Sequence, residues 1–74
     1  MARVLLFGQL ADLAGWRERT IEAPTLAAMK ALLAPELDVD APGVNAAVDR
    51  AIVRGDVELS TSSEVAFLPP MSGG

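Results

Sequence analysis

The sequence has no cysteine, no histidine and no tyrosine. The absence of cysteine excludes disulfides, thiolate nucleophiles and zinc sites built on cysteine. Histidine is the side chain whose ordinary pKa lies near neutrality, so the chain also lacks a ready imidazole base. We therefore expect this chain to hold no metal and not to be catalytic on its own, with any catalytic base supplied by a partner.

Positive charge and long apolar runs are also scarce. Six Lys and Arg residues stand against ten Asp and Glu residues, for a net charge of −4. This balance disfavours binding to nucleic-acid phosphates or anionic lipids and favours a basic protein surface. The apolar run near the start, Val4–Phe7, is too short for a signal peptide or a membrane span. We expect a cytoplasmic protein whose partners are neither nucleic acid nor membrane.

The first part of the chain predicts two strands and a short helix. The apolar run Val4–Phe7, bounded by Gly8, is typical of a strand buried on both faces. Gln9–Ala14 has helical spacing, and Gly15 follows where a left-handed residue ends a helix. Arg17–Ala23 mixes charges with β-branched residues, which indicates an edge strand.

A second, longer helix is predicted after Pro24. Thr25 is its expected N-cap and Pro35 its expected end. One apolar stripe of this helix, with Leu32 beside it, consists of Leu26, Met29 and Leu33. Methionine commonly fills irregular gaps in a core, so the stripe predicts core packing and not a ligand site.

The second half of the chain predicts three strands. Residues 36–43 are acidic and contain a Pro-Gly pair, which indicates a loop. Val44–Val48 and Ala51–Val53 flank Asp49-Arg50, a pattern typical of a hairpin with a tight turn. Glu64–Leu68 is the expected last strand, because it alternates in pattern and ends at consecutive prolines.

These elements predict an α+β fold in which a mixed sheet packs on one main helix. The apolar character of the first and last strands places them side by side at the centre, with the second strand as an antiparallel edge. A β-grasp fold has this arrangement. We expect a single domain over residues 1–68, near the lower size limit for folding alone, and an extended tail over residues 69–74.

The predicted tail directly follows the last strand. Pro69 and Pro70 restrict the backbone to an extended path, and the residues from Pro69 to Gly74 span about 20 Å at ~3.3 Å each. Gly73 and Gly74 lack Cβ atoms, so they fit a narrow channel. This composition predicts a tip that is threaded into the active site of another protein.

The α-carboxylate of Gly74 is the expected reactive group. A carboxylate is an anion at neutral pH and a poor electrophile, so it requires activation. Adenylation by ATP on another enzyme would give a mixed anhydride. A sulfur donor would then convert this anhydride to a thiocarboxylate, or an amine would capture it. In this scheme the chain binds no cofactor, and ATP is consumed by the activating enzyme.

Residues near the tail are the predicted contacts with a partner. Leu68 and Met71 are the preferred apolar contacts. Phe67 alternates with Val65, which favours a core position, although it is retained as a second possible contact. The remaining predicted contacts are Pro69, Pro70 and Ser72.

Two segments resemble the small, sulfur-carrier subunit family of molybdopterin synthase, within the ubiquitin-like β-grasp proteins. Val4 to Gly15 is similar to the family's opening strand and helix, and Glu64 to Gly74 is similar to its closing strand and tail. The resemblance implies that an E1-like enzyme adenylates Gly74, which then becomes a thiocarboxylate. Gly73 and Gly74 would enter the large synthase subunit and donate sulfur to cyclic pyranopterin monophosphate, forming the dithiolene. It also implies a heterotetramer of small and large subunits.

The sequence departs from the family pattern at two turns. Thr61-Ser62-Ser63 replaces a frequent Asp-Gly-Asp turn, and Asp49 stands where Asn is common. Both departures concern turn geometry more than the tail.

Other functions remain open at this point. A thiamine-pathway sulfur carrier or a ubiquitin-like protein modifier would use the same activation chemistry, and an interaction domain with an inert tail is a further alternative. An acyl carrier is disfavoured because no serine lies in the required Asp-Ser-Leu setting at the start of a helix.

Overall fold

The computed structural model describes residues 2–70. Five strands and two helices follow one another in this part of the chain. They are β1 (Ala2–Leu6), α1 (Gln9–Ala14), β2 (Glu18–Ile21), α2 (Leu26–Leu33), β3 (Asn45–Val48), β4 (Ala51–Val53) and β5 (Glu64–Leu68).

The strands form one mixed sheet in the order β2-β1-β5-β3-β4. β1 and β5 are parallel neighbours at the centre, with Val4 opposite Val65. β2 is antiparallel to β1 and forms an edge, and β3 is antiparallel to both β5 and β4. The predicted pairing of the first and last strands is confirmed. Because β5 is central, the chain leaves the sheet from its middle.

Both helices pack on one face of the sheet. The core cluster joins apolar residues of α1 and α2 to alternate residues of the strands, including Val4 and Phe67, which are fully buried. On the opposite face, Arg3 is exposed and Leu5 is half-buried. The prediction that the first strand is buried on both faces is therefore wrong. Strand β1 also begins and ends earlier than predicted. Phe7 lies beyond its end and is 45% exposed.

Helix α2 begins as predicted. The Oγ1 atom of Thr25 accepts a hydrogen bond from the Ala28 N–H at 3.1 Å, which satisfies one unpaired donor of the first turn. Oδ1 of Asp56 accepts from the Ala27 N–H at 2.7 Å, a second cap that comes from a distant turn. The predicted stripe of Leu26, Met29 and Leu33 is buried in the core.

Replacing Thr25 tests this cap. Thr25→Ala is expected to lower the free energy of unfolding by about 1 kcal/mol, because the Ala28 N–H loses its partner. Urea unfolding followed by circular dichroism measures the change. An unchanged midpoint would show that the Asp56 carboxylate alone is enough to stabilise the helix start.

Side-chain hydrogen bonds stabilise the two turns at which the sequence departs from the family pattern. Asp49 and Arg50 both have positive φ (49° and 71°), as in a two-residue hairpin turn of type I′. The Asp49 carboxylate accepts a hydrogen bond from the Glu64 N–H at 3.0 Å, which ties this turn to β5. Before β5, the buried Ser63 hydroxyl accepts a hydrogen bond from the Ser60 N–H at 2.9 Å. Both turns therefore hold the start of the last strand.

Candidate functional site

The site is the end of β5, where the chain leaves the sheet. Leu68 and Pro69 are half-buried and Pro70 is exposed. Met71, Ser72, Gly73 and Gly74 lie outside the described residues, so the roles predicted for them stay predictions.

Phe67 belongs to the core. Its side chain is fully buried, and it pairs with Leu6 on one side and Ala46 on the other. This corrects its inclusion among the partner contacts, because a side chain with no exposed surface cannot touch another protein in this fold. The alternation with Val65, which is also fully buried, had favoured the core position.

Two glycines contact the prolines that begin the tail. Gly8 has φ +55°, and a Cβ atom built there would lie 3.0 Å from Cγ of Pro69. Gly43 has φ +88°, and a Cβ atom there would lie 2.7 Å from Cβ of Pro70. Both separations are shorter than ordinary carbon contacts, and L side chains rarely adopt these φ values. Sequence reasoning missed both contacts because each glycine lies far from its proline along the chain.

An apolar row crosses the open face of the sheet beside this exit. The register aligns Leu5 with Ala66, Ala66 with Ala47, and Ala47 with Ile52, so these side chains share one face. Leu68 is on the same face, two residues after Ala66. We call these residues, Leu5, Ala47, Ile52, Ala66 and Leu68, the open-face patch. Ile52 is 52% exposed, Leu5, Ala66 and Leu68 are half-buried, and Ala47 is buried.

A shallow cleft continues the patch toward the exit. It has a volume of about 360 Å³, and Leu5, Phe7 and Gly8 line it together with Arg17 and Glu18. The same Gly8 contacts Pro69, so the cleft, the patch and the start of the tail adjoin one another. Of these features, the sequence had pointed only to Leu68 and the prolines. The alternation of apolar residues in each strand was a signal for the patch, but it required the register to be read.

Charged side chains border the patch at the start of β1 and on the edge strand β2. Nε of Arg3 donates a hydrogen bond to the Glu18 carboxylate at 2.8 Å, and both side chains are about half exposed. The hydrogen bond and the charge of Glu18 raise the pKa of Arg3. Arg3 also lies opposite Glu64 in the register of β1 and β5. Glu18 lies opposite Leu5 in the register of β1 and β2, so the apolar row ends at this charged pair on the edge strand.

Arg19 lies on the edge strand, as predicted, and is engaged within the chain. Its guanidinium carbon is 4.5 Å from the centre of the Trp16 ring, a cation–π distance. Its NH1 atom is 3.4 Å from the Glu36 carboxylate, which also accepts a hydrogen bond from the Trp16 indole N–H at 3.0 Å. This cluster connects the edge of the sheet to the loop after α2.

Residues 2–70 bring together no group of three or more His, Cys, Asp or Glu side chains that would hold a metal ion. Within the same range, no helix has the length and apolar character needed to cross a membrane.

The sequence profile of the ThiS family matches residues 4–74. The chain belongs to the ThiS family. It is 35% identical over 81 aligned residues to the molybdopterin synthase sulfur carrier subunit of Escherichia coli strain K12, and the alignment covers 100% of both chains. The resemblance seen in the sequence is therefore confirmed.

Two solved structures have folds similar to that of this chain. The small archaeal modifier protein 1 of Methanosarcina acetivorans superposes with a TM-score of 0.81 at 20% identity, covering 99% of this chain and 95% of that one. The protein of the same name from Haloferax volcanii gives a TM-score of 0.80 at 22% identity, covering 99% and 98%. At these identities the likeness concerns the fold, and it confirms the predicted ubiquitin-like β-grasp architecture.

Proposed function

We propose that this chain is the sulfur-carrier subunit of a cytoplasmic molybdopterin synthase, with the Gly74 carboxylate as its sulfur-bearing group. The observation that carries the proposal is the match to the Escherichia coli sulfur carrier subunit over the whole length of both chains. The tail supports it, because Pro69 and Pro70 lead the chain away from the centre of the sheet, next to an exposed apolar face.

Activation takes place on an E1-like enzyme that uses ATP. A carboxylate oxygen of Gly74 attacks the α-phosphorus of ATP, pyrophosphate leaves, and an acyl adenylate forms. A sulfur donor at the level of hydrosulfide then attacks the carbonyl carbon. The bond from that carbon to the AMP oxygen breaks, AMP leaves with the electron pair, and the donor's proton passes to solvent. The product is the Gly74 thiocarboxylate.

Transfer takes place in the large subunit, into which Gly73 and Gly74 extend. The thiocarboxylate sulfur forms a bond to a carbon of cyclic pyranopterin monophosphate, the carbon–oxygen bond at that carbon breaks, and the oxygen leaves with the electron pair. Water then cleaves the acyl–sulfur bond. Gly74 returns to a carboxylate, and the sulfur remains on the pterin. A dithiolene holds two sulfur atoms, so two carriers in the thiocarboxylate form are consumed for each product. The catalytic acids and bases belong to the large subunit, since this chain has no histidine or cysteine.

The open-face patch is the proposed docking surface for the large subunit in a heterotetramer. It joins the tail without a break, since Leu68 belongs to the patch and directly precedes Pro69. The charged pair of Arg3 and Glu18 borders its apolar side chains at the edge strand. Covering them while the tail is inserted removes apolar surface from water at the place where the tail enters.

A charge at Ile52 tests this docking surface. Ile52→Asp is expected to weaken binding to the large subunit by about 10- to 100-fold, because a buried aliphatic side chain contributes roughly 1.5–3 kcal/mol. Isothermal titration calorimetry with the purified large subunit measures the dissociation constant. Leu32→Asp is the matched control, since Leu32 is similarly exposed (57% against 52%) but lies on α2, on the other side of the sheet. Equal losses from both substitutions would contradict the assignment of the face.

Intact-mass analysis tests the proposed chemistry itself. The chain is incubated with an activating enzyme, ATP and a sulfur donor, and its mass is measured. Replacement of one oxygen by one sulfur at Gly74 supports the carrier, and transfer to cyclic pyranopterin monophosphate distinguishes it from a thiamine-pathway carrier. Conjugates linked to lysine would favour a ubiquitin-like modifier instead. No change with a competent activating enzyme would refute both.

A further inference from the structure

We propose that Gly43, assisted by Gly8, is a positioning residue that sets the direction in which the tail leaves the domain. The inference rests on the proposed function, because the direction matters for chemistry only if Gly74 reacts. Neither glycine touches a reacting atom, so each acts through the proline that it contacts.

The contact between Gly43 and Pro70 leaves no room for a side chain. A Cβ atom at Gly43 would lie 2.7 Å from Cβ, 3.4 Å from Cγ and 3.6 Å from Cα of Pro70. Ordinary carbon contacts begin at about 3.5 Å, so a methyl group here would displace Pro70 by about 1 Å. Gly43 lies in a turn that is held by a hydrogen bond from the Val44 N–H to the Ala41 carbonyl at 3.0 Å, so we expect Pro70 to be the residue that is displaced.

Gly8 makes the corresponding contact one residue earlier. A Cβ atom there would lie 3.0 Å from Cγ of Pro69, the outer part of the ring. Gly8 follows β1, and the neighbouring Phe7 N–H donates to the Phe67 carbonyl at 3.3 Å, which holds this segment beside β5. The two prolines thus pack against glycines next to β1 and β3, the two strands that flank β5.

The glycine contacts influence the direction of the tail because proline has little backbone freedom of its own. The ring fixes φ near −65°, so a shift or tilt of Pro70 changes the point and the direction from which the chain continues. Reacting groups must be placed closely, and a misplacement of 1 Å costs up to about 100-fold in rate. Glycine at position 43 therefore has two roles. It allows the positive φ, and it permits the close approach of Pro70 that sets the direction of the tail.

A pair of matched substitutions separates aiming from backbone strain. Gly43 and Gly15 have nearly the same φ, +88° and +84°, but a Cβ atom at Gly15 would meet nothing within 4 Å. Gly43→Ala and Gly15→Ala therefore carry similar strain, and only the first displaces the tail. We expect Gly43→Ala to slow single-turnover sulfur transfer in the preformed complex about 10- to 100-fold. Gly15→Ala is expected to change this rate less than about threefold.

Removal of the Pro70 ring is expected to rescue the slow sulfur transfer caused by Gly43→Ala. In a chain carrying Pro70→Gly, the Cβ and Cγ contacts are gone and the Cα atom at 3.6 Å is an ordinary neighbour. Adding Gly43→Ala to that chain is expected to slow transfer less than about threefold, a loss smaller than in the chain with Pro70. An undiminished effect, or equal losses from Gly43→Ala and Gly15→Ala, would overturn the inference. Gly8→Ala is a second variant, with a smaller expected loss because it meets only the outer ring atoms.

A structural measurement decides the inference even if the proposed function fails. Residual dipolar couplings of the Pro70 Cα–Hα bond, measured by NMR, are expected to change in Gly43→Ala and to stay as in the unsubstituted chain in Gly15→Ala. Unchanged couplings in Gly43→Ala would overturn the inference. If the unsubstituted chain acquires no sulfur, the proposed function is wrong, and the couplings still show whether Gly43 directs the tail.

Discussion

Deletion of Gly74 is expected to abolish dithiolene formation and to leave the folded domain intact. The chain would then end at Gly73, and its carboxylate would fall about 3.3–3.6 Å short of the reacting position. Because misplacement by 1 Å already costs up to about 100-fold, this shortening removes transfer altogether. The fold is expected to persist because the core cluster is built from residues between Ala2 and Phe67.

Two measurements check this outcome. Production of dithiolene from cyclic pyranopterin monophosphate is followed with the large subunit and the activating system present, and thermal unfolding is followed by circular dichroism. A variant with one residue appended after Gly74 serves as the companion, since it keeps both glycines but moves the carboxylate. A deletion variant that still formed dithiolene would refute the proposed mechanism.

Truncation of Phe67 is expected to produce the largest loss of stability among the substitutions considered. The side chain is fully buried between Leu6 and Ala46, on the face that both helices cover. Replacing such a phenylalanine with alanine costs about 3–5 kcal/mol, from lost apolar contact and the cavity that remains. Domains of this size have about 3–5 kcal/mol of stability from a single core. Phe67→Ala is therefore expected to be largely unfolded at 37 °C, as measured by circular dichroism and urea titration.

Leu68 provides the matched control for Phe67. It is the next residue in β5, but it is half-buried and belongs to the open-face patch. Leu68→Ala is expected to keep a cooperative unfolding transition and to weaken binding to the large subunit. The opposite result, a folded Phe67→Ala and an unfolded Leu68→Ala, would reverse the assignment of the two faces.

Local chemistry explains why much of the fold was predictable. Thr25 forms its cap with a residue three positions away, and Gly15 ends α1 through its own φ of +84°. Asp49 and Arg50 close a hairpin between strands that are adjacent in sequence. Each of these features depends on neighbouring residues, so residue types and spacing carry the signal.

Features that join distant segments were not predictable in the same way. An apolar run such as Val4–Phe7 is compatible with burial on both faces, and only the placement of both helices on one side leaves Leu5 half-buried. The cap that Asp56 adds to α2 comes from a turn after β4, 29 residues further along the chain than Ala27. Spacing along the chain holds no information about such approaches.

By itself, the sequence determined the type of chemistry available to this protein. The absence of cysteine and histidine, together with consecutive prolines and two glycines after the last strand, leads to the prediction that the Gly74 carboxylate is the reactive group. Tertiary structure alone decided what surrounds Pro69 and Pro70, where the tail begins. The pairing of β5 between β1 and β3 aligns the apolar row on the open face, and it brings Gly8 and Gly43 against Pro69 and Pro70. The physical reason is that strand register and close backbone contact are set by packing between segments, whereas reactivity is set by the residues present.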